Sequence, residues 1–305
     1  LHHYLPSVPS LELAQGVPVF NNTLGLYFRL SFPMIGFFYL VHLDTAFSLW
    51  FFNLLSLVVR GMMNTFNINM REGLGIYGSP SPIFAHLGMG AMITLVLAGF
   101  WVAKSHLKDV FKKAFTRDKS IDDSNEIMSY RVAVFGMIIG LAIMAVWLNL
   151  SGMPIFIALM FLFGAMILFI GLTRVVSESG MAEAVASTIS SSFVVSGIGT
   201  SLLQPGGLTA MSLTYIWSAD LRTSVMASTA NSLRIMEGES RSKRPLFWVI
   251  TLSIVVTLVS SILVLLEIAY KKGGINCNDW FFVGGARAPY KFFVSKIINP
   301  SEPNW

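Results

Sequence analysis

Five long apolar runs are the feature of this sequence that most limits how the chain can fold. They cover residues 26–60, 83–103, 132–150, 155–172 and 246–268. A helix of about 20 apolar residues is long enough to cross a bilayer. Inside hydrocarbon every backbone N–H and C=O must be paired within the protein, which a helix achieves by itself and an open sheet does not. The runs therefore predict an all-α fold, a polytopic transmembrane helical bundle.

The composition agrees with lipid as the main solvent. Only 12% of the 305 residues are charged, whereas a soluble domain carries about 25%. The net charge of +5 comes from Lys and Arg beside the apolar runs, without a nucleic-acid-binding motif. We therefore expect the lipid bilayer as a partner and no nucleic acid.

Signatures of enzymes and bound metals are absent from the sequence. The only cysteine, Cys277, has no partner for a disulfide or a cysteine-based zinc site. Patterns such as G-x-S-x-G, GxxxxGK[ST] and HExxH do not occur. We expect no enzymatic activity, no metal and no cofactor.

Loops and ends divide the chain into three regions. Residues 1–25 contain three prolines and no apolar run, and they are predicted to be an extramembrane connector. Residues 26–268 form the transmembrane helical domain, and 269–305 a C-terminal tail. The chain begins without Met, so we expect either a missing N-terminal half or further membrane subunits to complete it.

Basic residues are concentrated in two connectors, 104–131 and 218–244. Because cytoplasmic loops carry an excess of Lys and Arg, both connectors are assigned to the cytoplasm. Apolar residues recur at helical spacing in the first half of 104–131 and predict an amphipathic helix on the membrane surface.

The first apolar run, 26–60, has two ionisable residues near its centre. Its length corresponds to a helix of about 52 Å, which is too long for one straight span and predicts a broken helix. An ionisable residue inside a span is a functional candidate by default. We therefore predict a substrate-binding or ion-binding site at Asp44 and His42, with Ser48 and Asn53 further along. The alternative is that Asp44 caps the second half-helix.

Residues 181–217 are unusually polar for a membrane segment. Six serines lie between Met181 and Pro205, with no charge after Glu183. This pattern predicts a small-residue or re-entrant hairpin inside the protein, with a helix break near Gln204 to Gly207. Arg174, Glu178 and Glu183 at its entry are further candidates for substrate or ion binding. The alternative is an interfacial ion pair between Arg174 and Glu178, four residues apart.

Three segments resemble a known group of proteins: LHHYLPSVPSL at 1–11, FFYLVHLDTAFSLWFFNLL at 37–55 and TRVVSESGM at 173–181. The most specific pattern is D-x-x-F-S-x-W-F, formed by Asp44, Phe47, Ser48, Trp50 and Phe51. The group consists of large multi-pass bacterial membrane proteins of unknown function, and it is distantly similar to the oligopeptide transporter superfamily. The resemblance implies a multi-pass membrane topology, and more weakly transport, without identifying a substrate.

The sequence favours two functions. The first is a permease-like protein of the bacterial inner membrane that moves a small solute, with ion coupling through Asp44 and His42 as an option. The alternative is a non-catalytic membrane subunit that scaffolds a larger complex. Access of water to Asp44 separates them, because a transporter needs this carboxylate reachable and a scaffold needs it sealed.

Overall fold

The computed structural model describes residues 13–19, 24–30, 32–68, 70, 72–181, 184–219, 224–236 and 243–303. This part of the chain is mostly helical, with one β-hairpin near its start. The strands are β1 (Leu13–Val19) and β2 (Leu24–Leu30). The helices are α1 (Phe32–Leu40), α2 (Leu43–Thr65), α3 (Pro82–Val102), α4 (Lys104–Thr116), α5 (Tyr130–Leu150), α6 (Ile155–Ser179), α7 (Ser190–Ile198), α8 (Gln204–Ser218), α9 (Val225–Ile235), α10 (Arg244–Lys272) and α11 (Gly285–Ile298).

Five of these helices are long and apolar enough to cross a membrane: α2, α3, α5, α6 and α10. They contain 21 to 29 residues each. The prediction of a polytopic transmembrane helical bundle is therefore confirmed. Helix α6 continues seven residues beyond the predicted end of its apolar run at 172, because Thr173 to Ser179 keep helical hydrogen bonding despite their polarity.

The chain divides into two compact units, Leu1–Arg71 with Val175–Ala182, and Glu72–Arg174 with Glu183–Trp305. In the first unit, β1 pairs with β2 in an antiparallel register that places Leu13 opposite Leu30. Residues 26–30 therefore belong to a strand and not to a membrane span, contrary to the sequence-based boundary. Tyr27 and Phe28 favour a strand, which accounts for this difference.

The predicted helix break is confirmed in the first unit. Helix α1 ends at Leu40 and α2 begins at Leu43, with Val41 and His42 between them. The nine residues of α1 span about 14 Å, so only α2 has the length of a membrane crossing. The break places Asp44 in the first turn of α2.

The core of the second unit surrounds α6, α7 and α8. Helices α7 and α8 have 9 and 15 residues, about 14 and 22 Å, so neither can cross a bilayer alone. Most of their residues are buried, and the chain between them is non-helical from Gly199 to Leu203. The predicted buried hairpin is confirmed, and its break lies just before Gln204.

A second non-helical stretch, residues 184–189, leads into α7. Ala186, Thr188 and Ile189 are buried there. One backbone carbonyl of this stretch is paired with another segment, since Ser79 donates its N–H to the Ser187 carbonyl at 2.8 Å. Irregular backbone of this kind is tolerated at membrane depth only where protein covers it.

Small residues on α3 and α6 make room for this stretch and for α7. A Cβ added at Gly88 would overlap Ser187 Oγ and lie 2.8 Å from Ser187 Cβ. A Cβ added at Gly164 would lie 2.7 Å from Ser190 Oγ. By contrast, a Cβ added at Gly136 or Gly140 of α5 would meet nothing within 4 Å.

We expect Gly88→Ala to destabilise the protein. Rotation of the Ser187 hydroxyl does not relieve a contact with Ser187 Cβ, so the backbone of 184–189 has to move, at a cost of about 1–3 kcal/mol. The control is Gly90→Ala on the same helix, where an added Cβ meets nothing within 4 Å. Thermal unfolding of the detergent-solubilised proteins should show a lower midpoint for Gly88→Ala only. Equal midpoints for both variants would contradict the close packing.

The predicted tail, 269–305, forms part of the core. Helix α10 continues to Lys272, and α11 packs against α8. Phe293 of α11 is 2% exposed, and its ring lies 5.7 Å from that of Tyr215. The prediction of a C-terminal tail did not include this packing, because α11 is too short and too polar to be recognised as a membrane element.

The start of α10 and the first basic connector, 104–131, lie at the same end of the second unit. The amphipathic helix predicted in the first connector is α4. Hydrogen bonds from Ser124 lower the pKa of Asp122, and the charges of Lys113 and Arg244 lower it further. Since Arg244 begins α10 and acts on Asp122, the start of α10 lies near the α4–α5 connector.

Candidate functional site

The serines around α7 hold this helix against several neighbours. Four serine hydroxyls donate hydrogen bonds to other parts of the second unit: Ser187 to the Ala85 carbonyl at 3.2 Å, Ser190 to the Phe161 carbonyl at 2.6 Å, Ser192 to the Leu74 carbonyl at 2.8 Å and Ser196 to the Glu72 carboxylate at 2.8 Å. These bonds connect α7 and the stretch before it to α3, to α6 and to the segment that precedes α3. The first three are structural, because their acceptors are backbone carbonyls.

The fourth bond belongs to a cluster of ionisable groups, Glu72, His86 and Ser196. Glu72 Oε2 lies 3.3 Å from His86 Nε2 and accepts a hydrogen bond from Ser196 Oγ. Ser196 Oγ also lies 3.1 Å from His86 Nε2. The Glu72 side chain is 4% exposed and that of His86 is 24% exposed. A carboxylate is therefore held inside the helical bundle by an imidazole and a hydroxyl.

Three separate elements position this cluster. His86 is one turn inside α3, which begins at Pro82, and Ser196 lies near the end of α7. Glu72 belongs to the segment before α3, which Ser192 holds through the Leu74 carbonyl. Gly75 of the same segment packs against α11, since an added Cβ would lie 3.2 Å from Phe292. The carboxylate is thus fixed by contacts from α7 and α11.

The geometry differs from that of a serine nucleophile with a histidine base. In such triads the serine and the carboxylate bind different nitrogens of the imidazole. Here both Ser196 Oγ and Glu72 Oε2 lie beside the same nitrogen, His86 Nε2. The Ser196 proton is directed to the carboxylate, so the hydroxyl is not activated. The arrangement is suited to holding and exchanging a proton between Glu72 and His86.

Sequence reasoning did not identify this cluster. Glu72 lies in a glycine-containing loop, and His86 near the start of a span reads as an interfacial residue. The available signal was a carboxylate just before a span and a histidine one turn inside it. Neither residue indicates that Ser196, 110 positions after His86, completes the group.

The predicted site at Asp44 lies in the first unit. His42 is the N-cap residue of α2, with Nδ1 3.4 Å from the Asp44 backbone N and 3.5 Å from Asp44 Oδ2. The Asp44 side chain is 92% exposed. His42 and Asp44 are therefore adjacent, as the broken helix requires. It is His42, and not Asp44, that caps the helix.

The other predicted residues of that site are arranged differently. Ser48 Oγ donates to the Asp44 backbone carbonyl at 2.7 Å and not to its carboxylate. Asn53 is nine residues further along the same continuous helix, about 13 Å along its axis. Asn53 therefore does not join Asp44 in one site, because the rise along the unbroken α2 separates the two residues.

The structure describes two of the three predicted candidates at the entry to the hairpin, Arg174 and Glu178, four residues apart on α6. Arg174 donates from Nη1 to the Leu95 carbonyl of α3 at 3.2 Å, close to Gly99. Glu178 is exposed near the end of α6. Glu183 lies outside the described residues. Among the residues that the structure describes, no three His, Cys, Asp or Glu side chains are grouped as a metal site would need.

Comparison with known proteins relates the whole chain to one family. Residues 1–305 match the model of a family described as a family of unknown function, DUF6785. No curated protein and no solved structure matches the chain. This result agrees with the resemblance to membrane proteins of unknown function. The chain belongs to the DUF6785 family of unknown function.

Proposed function

We propose that this protein is a permease of the bacterial inner membrane that couples movement of a small solute to movement of a proton. The observation that carries the proposal is the buried cluster of Glu72, His86 and Ser196. An ionisable group inside a membrane protein is costly unless it is paired, and such groups commonly form proton relays. Histidine is the side chain that ordinarily changes charge near neutral pH.

The helices around the cluster support the same function. Ser196 lies on α7, a half-length helix that follows the non-helical residues 184–189. Discontinuous helices near the middle of a bundle are where many secondary transporters bind solute and coupling ion. The distant similarity to the oligopeptide transporter superfamily also favours transport. We assign the path of the solute to the region beside α7 and α8.

Reconstitution into liposomes tests this function. The purified chain is placed in vesicles that contain a pH-sensitive dye, and amino acids, short peptides, small carboxylates, sugars and amines are added outside. For a proton symporter, a transported solute should acidify the interior beyond the change seen in vesicles without protein, which measure passive entry of weak acids and bases. Absence of any solute-driven pH change across the panel, with correctly folded protein in the vesicles, would contradict the proposal.

Asp44 is the second candidate for the coupling group, and we expect Asp44→Asn to leave folding and proton flux largely intact. Its exposed carboxylate lies in the first turn of α2, where a negative charge is worth about 0.3–1 kcal/mol. The yield of folded protein and the solute-driven pH change should be measured on the same preparation. Normal yield with abolished flux would transfer the coupling role from Glu72 to Asp44.

A scaffold in a larger membrane complex is the competing function. Helix α10 favours it, because none of the residues in its apolar window is buried within the chain. A face of 29 helical residues could pack against another membrane subunit as well as against lipid. A scaffold would produce no solute-driven proton flux in any vesicle preparation, so the liposome experiment separates the two functions.

A further inference from the structure

We infer that the first turn of α7 and the Tyr215 hydroxyl form a subsite for an anionic oxygen group of the solute, and that this group is a carboxylate. The inference rests on the proposed permease function and names the class of solute. It uses residues that belong to neither the Glu72 cluster nor the Asp44 site. Its basis is a buried helix terminus with two unpaired hydroxyls beside it.

The N-terminus of α7 is buried and carries no side-chain cap. The residue before it is Ile189, whose side chain has no polar atom, and no cap hydrogen bond is made there. Ser190, Ser191 and Ser192 form the first turn, and each is at most 1% exposed. The first N–H groups of a helix have no acceptor inside the helix. In the described part of the chain, no side chain takes that role here.

Two hydroxyl groups next to this turn are buried without a hydrogen-bond partner among the described residues. They are Ser191 Oγ and the Tyr215 hydroxyl. Ser191 is 0% and Tyr215 is 8% exposed. The Tyr215 hydroxyl comes from α8 and lies beside Ser191 and Ser192 without hydrogen-bonding geometry to either. Buried polar atoms are rarely left unpaired, so these two require an explanation.

An anionic group explains both the free helix terminus and the free hydroxyls. The helix dipole places partial positive charge at the N-terminus, where N–H groups bind carboxylates and phosphates. Hydroxyl donors add charge-assisted hydrogen bonds to the same anion. The neighbouring hydroxyls of Ser190 and Ser192 are already used by the Phe161 and Leu74 carbonyls. Ser191 and Tyr215 therefore remain as the side-chain donors.

The same helix connects this subsite to the Glu72 cluster. Ser196 follows Ser191 by five residues, about 7.5 Å along the axis of α7. An anion bound at the start of α7 would therefore lie on the helix that also carries Ser196, and its negative charge would attract a proton to the cluster. Binding of the solute and binding of the proton then assist each other. This linkage is what a proton symporter of carboxylates requires.

Ligand binding to the detergent-solubilised full chain tests the subsite. The probes are acetate, succinate, glycine, diglycine and inorganic phosphate, with sodium chloride at matched ionic strength as the reference. A bound probe raises the midpoint of thermal unfolding by an amount that grows with the logarithm of its concentration relative to its Kd. We expect at least one carboxylate to stabilise the wild-type protein and phosphate to have no effect beyond that of chloride.

Two variants locate the binding, and a third serves as a matched control. Ser191→Ala and Tyr215→Phe should each weaken carboxylate binding about tenfold or more, without lowering the ligand-free midpoint, because neither hydroxyl has a partner to lose. Ser190→Ala removes a paired hydroxyl from the same turn. It should lower the ligand-free midpoint and leave the carboxylate affinity unchanged.

Several outcomes would overturn the inference while leaving the permease proposal standing. In the unfolding experiment, these are a result in which none of the carboxylates stabilises the protein and a result in which phosphate alone does. In liposomes, it is proton flux driven only by neutral or cationic solutes. Among the variants, it is an unchanged carboxylate affinity in both Ser191→Ala and Tyr215→Phe. Carboxylate binding that the two variants abolish, without proton flux in liposomes, would support the subsite and reject the permease.

Discussion

Replacement of Glu72 by Gln is expected to leave a folded protein whose solute-driven proton flux has fallen on the order of 10²-fold or to the background of empty vesicles. Ser196 and His86 contact the same carboxylate oxygen, and an amide oxygen in that place can still accept from the Ser196 hydroxyl and from an N–H of His86. The side chain can no longer bind and release a proton. Flux is measured as acidification of the vesicle interior after addition of solute.

The comparison with Glu72→Ala separates coupling from stability. Alanine leaves the Ser196 hydroxyl and the His86 ring without their buried partner, at about 1–3 kcal/mol for each unpaired group. We therefore expect Glu72→Ala to lower the unfolding midpoint and Glu72→Gln to preserve it. The surface control is Glu267→Gln, whose carboxylate bonds only the exposed Lys271 at 2.6 Å. Full proton flux in a folded Glu72→Gln protein would remove the cluster from the mechanism.

Phe161→Ala is expected to cause the largest loss of stability of the substitutions considered, about 3–5 kcal/mol. Phe161 is 0% exposed in the core of the second unit, and its ring lies 5.6 Å from that of Trp217. Truncation leaves a cavity between α6 and α8 beside the carbonyl that Ser190 contacts. The midpoint of thermal unfolding should fall by at least about 6 °C.

Phe163 provides the matched control, two residues further along α6. Its side chain is 60% exposed, so truncation removes contacts with lipid or detergent and leaves no internal cavity. We expect Phe163→Ala to change stability by about 0.5 kcal/mol or less. Similar midpoints for Phe161→Ala and Phe163→Ala would show that the core around α7 and α8 is not packed as described.

Patterns of consecutive residues predicted the structural elements whose formation depends on residues close together in the sequence. The length of the apolar runs identified the spanning helices, since crossing a bilayer sets a minimum length that can be read from consecutive residues. The excess length of residues 26–60, with His42 and Asp44 inside it, predicted the break between α1 and α2. The serines and the Gln204–Gly207 stretch likewise predicted a buried, interrupted hairpin.

The predicted boundaries of the apolar runs, and the regions assigned from composition, were less accurate. Tyr27 and Phe28 lie in a strand and not in a helix, because β-pairing with β1 competes with helix formation at the start of the run. The predicted C-terminal tail contains α11, which buries Phe293 in the core. A mixed polar and apolar helix of 14 residues carries no hydropathy signal that distinguishes packing inside the protein from lying outside it.

The sequence alone determined that this chain forms membrane-spanning helices with a broken first run and a polar hairpin, because hydropathy and helical length are properties of adjacent residues. Only the tertiary structure decided that Glu72, His86 and Ser196 meet, and that Ser191 and Tyr215 are buried beside one helix terminus. Glu72 and Ser196 are 124 positions apart. Their contact depends on how α7 packs among α3, α6 and α11, which no local pattern encodes.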